Sequence, residues 1–461
     1  MRKVLIDPIT RLEGHGRIEL LFGENGKLED VKLKVVELMG YEKFLVGMPA
    51  EEVPRSVSTI CGVCRTVHFM ASLKAIDQAF GTTPPKKAEL LRKVVLLANH
   101  IEDHTEVLFA LGLPDFIVGL DAPKGEKNLF GVAKKVGREF IKKVVNLRTS
   151  AAKIVEIVGA KSVHPTTAIP GGWSKKLKEE ELKEIKKLAK DCLELGKLAV
   201  ETVKEFLVYH KENSKFLKNE KFDIKSNFLA TLDENGKVTY YDGIQVVKDF
   251  NGKELVRFKG KEYQEVIEEK VLPWSYSKFP YLKKLGWNGI VEGEGSSICS
   301  VGPLARFNVS DGYSTPMAQK EAEEVLEFFG KKPVLNFFAY HWLRAIEILN
   351  QAELLIGILN SPEILGGEIV NPATRLEGEG VGILEAPRGT LIHHYVTNEK
   401  GLIKDANLIV PTTINNSAIQ LAVKKFAFYL LEKEEKITDE KLSILEVAHR
   451  PYDLCLACST H

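Results

Sequence analysis

The sequence predicts an α+β fold: a mainly α-helical bundle core, peripheral β-sheet regions, and a C-terminal tail that returns to a metal site. Three observations predict it. Apolar residues recur at helical spacing over 85–111, 130–158, 175–210 and 316–358. Alternating segments broken by turn residues fill the first forty positions and 219–290. Two Cys-x-x-Cys pairs, Cys61-Gly-Val-Cys64 and Cys455-Leu-Ala-Cys458, stand almost at opposite ends of the chain, too far apart for a small zinc ribbon, so one four-thiolate site would join the two ends of a large fold.

In chain order, the segment 1–40 reads as an N-terminal β region. Gly23-Glu24-Asn25-Gly26 forms a hairpin turn between strands at Gly16–Leu21 and Val31–Val36. Residues 41–215 read as a helical core that includes the first cysteine pair, with Leu90, Leu91, Val94, Leu97, Ala98 and Ile101 on one helix face. Residues 216–300 read as a β-rich insertion, punctuated by Asp233-Glu234-Asn235-Gly236 and Asn251-Gly252 and followed by aromatic loops through Trp274, Tyr276 and Tyr281. Residues 301–461 carry helices, a glycine-rich strand region from Gly366 to Val410, a final helix around Ile419 to Glu432, and a tail with little periodicity after Leu445. The four segments are expected to form one metal-centred unit. An internal echo, Asp7-Pro-Ile-Thr-Arg-Leu-Glu-Gly-His-Gly16 against Asn371-Pro-Ala-Thr-Arg-Leu-Glu-Gly-Glu-Gly380, is too isolated to be a repeat fold. It reads as two similar strand-entry turns, the first of them with a function.

The 461 residues, 44% of them hydrophobic, suffice for a large buried core. Lysine and arginine number 64 against 63 aspartates and glutamates, so no overall field draws the chain to nucleic acid or to an anionic membrane. Six cysteines are too few for a disulfide scaffold and suit metals in a reducing compartment, which favours the cytoplasm. The opening apolar stretch is too short for a signal peptide and no long apolar run follows, so no direct membrane insertion is expected. The Lys/Glu-rich run from Ser174 to Lys187 is a pattern enriched in proteins from hot environments.

His68 lies four positions after Cys64. On a helix it shares that face one turn on and can hydrogen-bond a metal thiolate, the alternative being a satisfied core histidine. The ending Asp453-Leu-Cys-Leu-Ala-Cys-Ser-Thr-His461 puts an imidazole and a carboxylate beside two thiolates, and a chain end so rich in ligands is expected to be docked. His461 is therefore a candidate ligand for a second, harder ion such as magnesium or iron(II). His100-Ile-Glu-Asp-His104 does not read His-Glu-x-x-His and is expected to pack structurally, and His393-His394 is expected to line the site or an interface.

Arg11-Leu-Glu-Gly-His15, Ile60-Cys-Gly-Val-Cys-Arg-Thr-Val-His68, Leu113-Pro-Asp-Phe116, His164-Pro-Thr-Thr-Ala-Ile-Pro-Gly-Gly-Trp173, Glu385-Ala-Pro-Arg-Gly-Thr-Leu391, Val410-Pro-Thr-Thr-Ile-Asn415 and Cys455-x-x-Cys-x-x-His461 stand in this order. Together they resemble the large subunit of nickel-iron hydrogenases over nearly the whole chain. The resemblance implies reversible heterolysis of dihydrogen. It implies Cys61 and Cys455 as terminal nickel ligands, and Cys64 and Cys458 as bridges to an iron that carries carbonyl and cyanide. It also implies Arg388 over the open metal position with Asp115 and Asp453 as nearby carboxylates. Pro387, Pro411 and Thr412 would form the wall and donor around the diatomic ligands, and Glu13 would pass protons between a cysteine and solvent. Glu42, the Leu408 carbonyl and His461 resemble the ligands of the buried magnesium or iron(II). Leu454 stands where proline is usual in the family, which loosens a turn without removing a ligand. The ending at His461 resembles the family's form after removal of a C-terminal extension.

The cysteines outside the pairs, Cys192 and Cys299, are isolated, so electrons need a partner, an iron–sulfur small subunit. The resemblance is to the cytoplasmic group, whose further flavin or iron–sulfur subunits serve a heterodisulfide reductase assembly, a deazaflavin or NAD(P). Two rival readings stand beside it. A structural zinc tetrathiolate leaves Glu13, Asp115 and Arg388 unexplained, and a quinone-pocket relative of respiratory complex I generally lacks the thiolates.

Overall fold

The computed structural model describes residues 2–431 and 437–461. Four long helices, Lys86–Glu106, Arg138–Gly159, Glu179–Val203 and Ala339–Leu359, pack in a closed ring, each against two of the others. Their buried faces carry the residues that give the helical periodicity, such as Leu91, Val94, Ala98, Ile154, Ile185, Ala199, Ile346 and Leu355. Glycines punctuate the periodic stretches. Gly137, at φ 99°, separates Leu129–Val136 from Arg138–Gly159, and the stretch 316–358 is two helices, Pro316–Phe329 and Ala339–Leu359, the first ending at Gly330 with φ 65°.

Among the described residues, three sheets of three or more strands pack mainly on helices outside the ring. Arg2–Ile6, Gly16–Phe22 and Leu28–Val35 form an antiparallel meander with the expected turn at 23–26. The middle of the chain supplies a four-stranded sheet in the order Cys299–Ser300, Asn227–Leu232, Ile244–Lys248, Glu254–Phe258, with only its first pair parallel, and beside it a ribbon of Ile267–Lys270 and Phe279–Leu282. The third sheet is the antiparallel trio Gly378–Ala386, Gly389–Thr397 and Ile403–Ile409.

The glycine-rich texture of that trio has a packing cause. A Cβ on Gly378, Gly380 or Gly382 would come within 2.1, 1.9 or 2.0 Å of the carbonyl oxygens of Ala79, Ala75 and Ala71. A strand face repeating every two residues therefore lies directly on the backbone of helix Arg65–Ala79, which repeats every four. That contact fixes the helix that begins at the second cysteine of the first pair.

The last long helix runs Pro411–Leu431, starting eight residues before the apolar pattern suggests. Pro411 is its first residue, where a missing N–H costs nothing, so Thr412 belongs to a helix start rather than to a strand. Glu432 lies outside the described residues. The tail contains Asp439–Leu445, short 3₁₀ turns and Leu456–Ser459, and every residue from Leu445 to His461 is buried. It is held by backbone hydrogen bonds from Glu13 to Leu454, from Leu456 to Glu13, and from Met39 and Gly40 to Thr460. Among the described residues, no helix is long and apolar enough to cross a membrane.

Candidate metal centre

Cys61 is extended, and Cys64 caps helix Arg65–Ala79. The amides of Val63 and Cys64 both donate to Cys61 Sγ at 3.3 Å, so the loop itself aims this sulfur inward. From the other end of the chain, Cys455 precedes the turn Leu456–Ser459 and Cys458 lies within it. The four Sγ atoms lie within 4.8 Å of one another, with Cys455 at 2.8 Å from Cys458, 3.4 Å from Cys61 and 3.7 Å from Cys64. All are buried and none is in a disulfide. Thiolates sharing one ion at about 2.3 Å would sit about 3.8 Å apart, so the donor set fits soft metal ions. Hydrogen bonds from Cys455, Cys458 and Cys64 hold Cys61 far below the ordinary thiol range, while burial pushes Cys64, Cys455 and Cys458 up, so one sulfur is ready as a thiolate and the other three would give up their protons on binding a metal.

Arg388 sits at the tip of the two-residue hairpin between Gly378–Ala386 and Gly389–Thr397. Its guanidinium is fixed on every side. Nη1 donates to Cys64 Sγ (2.9 Å) and Asp103 Oδ2 (3.0 Å), Nη2 donates to Asp453 Oδ1 (2.9 Å), and Nε donates to the Asp453 carbonyl (2.9 Å). Burial pushes Asp103 and Asp453 above the ordinary carboxylate range against the pull of Arg388. The carboxylate pair on Arg388 is thus Asp103 and Asp453, which corrects the expected Asp115. Asp115 meets Arg11 at 2.5 Å and Arg450 at 3.7 Å instead, because Pro114 turns its short helix toward the N-terminal segment. Asp103 escaped sequence reading because it lies between two histidines whose spacing draws the eye. Those histidines do pack structurally, His104 on Glu347 and His100 on Gln351.

Glu13 comes from the turn before strand Gly16–Phe22. Its Oε2 accepts from Cys455 Sγ at 3.0 Å and from the Ala457 amide at 3.3 Å. Burial, with Cys61 adding to it, raises its carboxyl above the ordinary range. His68 Nε2 lies 3.4 Å from Cys458 Sγ, and its Nδ1 lies 3.1 Å from His393 Nε2. Burial lowers His68 to about 4, so the ring is neutral with a single N–H, and beside a metal-bound thiolate, which can only accept, the tautomer that fits donates from Nε2 to the sulfur and accepts at Nδ1. His393 must then donate from Nε2 and accept from the Tyr395 hydroxyl at 2.6 Å, a chain of donors that sequence reading stops short of. His394, on the opposite strand face, bonds Tyr263 and Glu379.

Thr412 Oγ1 accepts from the Cys455 amide at 3.4 Å, and Pro387 and Pro411 are buried. At the chain end, His461 Nδ1 is bonded to the Cys458 carbonyl at 2.8 Å while Nε2, with no hydrogen-bond partner, faces Glu42 Oε1 at 3.7 Å. Glu42 accepts from the Leu408 amide at 2.9 Å, which brings Leu408 beside Glu42 and His461, the three residues expected around the hard ion. A carboxylate and a free imidazole nitrogen face to face fit one hard cation.

Four buried cysteines reached by a carboxyl on one side and a fixed guanidinium on the other define the metal-binding site of a metalloprotein. The chain belongs to the nickel-dependent hydrogenase family, whose sequence model matches residues 39–143 and 126–461, with a HoxL-like match over 3–38. It is 47% identical over 461 residues to an iron-sulfur subunit of the F420-non-reducing hydrogenase of Archaeoglobus profundus, covering 100% of this chain and 95% of that one. It is 35% identical over 476 residues to the beta subunit of the NAD-reducing hydrogenase HoxS of Cupriavidus necator, again covering 100% and 95%. A solved NAD+-reducing [NiFe]-hydrogenase in the H2-reduced state superposes with a TM-score of 0.92 at 34% identity, covering 100% of both chains. The protein is a nickel-dependent hydrogenase large subunit, an oxidoreductase acting on hydrogen.

Proposed function

We propose that this subunit cleaves dihydrogen heterolytically and reversibly at a nickel–iron pair, which Cys61 and Cys455 as nickel ligands and Cys64 and Cys458 as ligands to both metals would hold, the iron also carrying carbonyl and cyanide. When bound, that pair supplies the Lewis acidity that polarises dihydrogen. The single observation that carries the reading is the 3.0 Å contact between Cys455 Sγ and Glu13 Oε2 inside the cluster of four buried sulfurs. A proton on Cys455 moves to the Glu13 carboxylate along that hydrogen bond, and Glu13, only partly buried, hands it toward solvent. Arg388, held by Asp103 and Asp453, stabilises charge on Cys64 and fixes the shape of the dry side of the pocket. His68 does the same for Cys458. Pro387 and Pro411 wall the diatomic ligands and Thr412 offers its hydroxyl to one of them.

Glu42 and His461 hold a magnesium or iron(II) ion that locks the chain end. Electrons leave to the iron–sulfur clusters of a small subunit, since Cys192 and Cys299 are buried and isolated. The complex is cytoplasmic, with further flavin or iron–sulfur subunits that end at NAD(P) or a heterodisulfide reductase assembly; the relatives' names, F420-non-reducing and NAD-reducing, speak for such acceptors over F420. The test is an infrared spectrum of the anaerobically purified complex, with metal analysis. Carbonyl and cyanide bands with nickel bound are expected, and full zinc occupancy without such bands would overturn the reading.

A further inference from the structure

We propose that Arg306 is a positioning residue for Arg388: it pins the backbone on either side of Pro387 and so aims the Arg388 guanidinium at the sulfurs. The inference rests on the role given to Arg388 above. Arg306, in helix Pro303–Val309, is fully buried and spends all five of its N–H groups. Nε and Nη2 grip Glu347 at 2.6 Å each, Nη1 donates to Glu385 Oε2 at 2.7 Å, and the remaining two donate to the carbonyls of Ala386 and Pro387 at 3.0 Å. Those carbonyls belong to the two residues immediately before Arg388.

The same hub reaches the partner side of the contact. Glu347 Oε2 is 3.1 Å from His104 Nε2, and His104 follows Asp103, the carboxylate bonded to Arg388 Nη1. Glu385 is locked in turn by the Thr231 amide and hydroxyl and by the Thr390 hydroxyl. One guanidinium therefore ties the hairpin that carries Arg388 to the helix that carries Asp103. Stability alone does not account for it. Burying three charges is costly before any gain, and well-packed apolar side chains often do as well, whereas a five-donor fork fixes geometry that they cannot.

Arg92 supplies an internal control. It is equally buried, ion-pairs with Asp77 and donates to the carbonyls of Ile169 and Gly172, and among the described residues it bonds neither a sulfur nor Arg388, Asp103 or Asp453. The experiment compares Arg306→Lys, Arg388→Lys, the double variant and Arg92→Lys in the complete hydrogenase complex, reading nickel content, kcat and KM for dihydrogen, and the infrared bands of the iron ligands. Arg306→Lys keeps one charge but only three donors, so it should retain nickel, shift the bands, and lower kcat roughly tenfold to a hundredfold with little change in KM. The double variant should be no slower than Arg388→Lys alone, and Arg92→Lys should lose thermal stability with bands and kcat unchanged. Wild-type bands and kcat in Arg306→Lys, or losses that multiply in the double variant, would overturn the proposal. If Arg388→Lys itself turns over normally, the catalytic reading of Arg388 fails, and the band shift in Arg306→Lys still decides whether Arg306 positions it. Where Arg306→Lys fails to load nickel, Glu347→Gln, which keeps the shape of the pair, should load nickel, shift the bands from wild type and lower kcat by less than about tenfold, and wild-type bands and kcat in that variant would overturn the proposal.

Discussion

The segments Asp7–Gly16 and Asn371–Gly380 share Pro, Thr-Arg-Leu-Glu-Gly and a final Gly at matching places, and the fold uses them differently. In the first, Arg11 is at φ 54° and pairs with the buried Asp115, and Glu13 reaches Cys455. In the second, Arg375 donates to the carbonyls of Ala79 and Gln78 at the end of helix Arg65–Ala79, Thr374 donates to those of Phe80 and Gly81, and Glu377 is exposed. Each copy secures one of the two cysteine segments. The first clamps the tail that carries Cys455 and Cys458, and the second caps the far end of the helix that Cys64 begins. A glutamate in the same local sequence meets a thiol only where a second segment brings one to it.

The two copies can be pulled apart experimentally. The largest structural effect is expected from Gly14→Ala, at φ +84°, whose Cβ would stand 2.7 Å from the Ala457 backbone nitrogen. The tail must shift, so a stability loss of about 3 kcal/mol and substoichiometric nickel are expected from calorimetry and metal analysis. Arg11→Met leaves Asp115 buried with only the longer contact to Arg450 and should cost about 2–3 kcal/mol. The matching Arg375→Met removes exposed hydrogen bonds at a helix end and should cost about 1 kcal/mol, leaving nickel content and turnover intact. Equal losses from the two arginine changes would erase the distinction. Glu377→Gln should change stability by less than about 0.5 kcal/mol and turnover not at all.

Much of the centre was legible because its residues lie in short motifs. Both cysteine pairs, Glu13, His68, Arg388 and Asp453 converge; the spacing along the chain announces the cysteines and His68, and the resemblance of their motifs to nickel-iron hydrogenases announces Glu13, Arg388 and Asp453. What was not legible depends on elements distant in sequence. Asp103 reaches Arg388 across 285 positions, and Arg306 holds the hairpin from a helix whose local sequence has no site character. Asp115 sits in an equally distinctive motif, yet the turn at Pro114 gives it to Arg11. The alternating glycines at 378, 380 and 382 suggest a strand, but only the helix beneath them explains why a side chain there is forbidden. The early start of the last helix at Pro411 was available from proline's preference for a first helical turn, a cue weaker than the apolar pattern that begins later.

The central claim is that Glu13, through Cys455, carries protons between the sulfurs and solvent. It is tested most directly by isotope exchange between dihydrogen and deuterated water in Glu13→Gln, with Glu377→Gln as the matched control and infrared bands verifying that the centre is assembled. The account predicts unchanged bands in both variants, with exchange reduced by about 10²-fold or more in Glu13→Gln alone. Exchange at the unmodified rate in Glu13→Gln, with the centre intact, would contradict it.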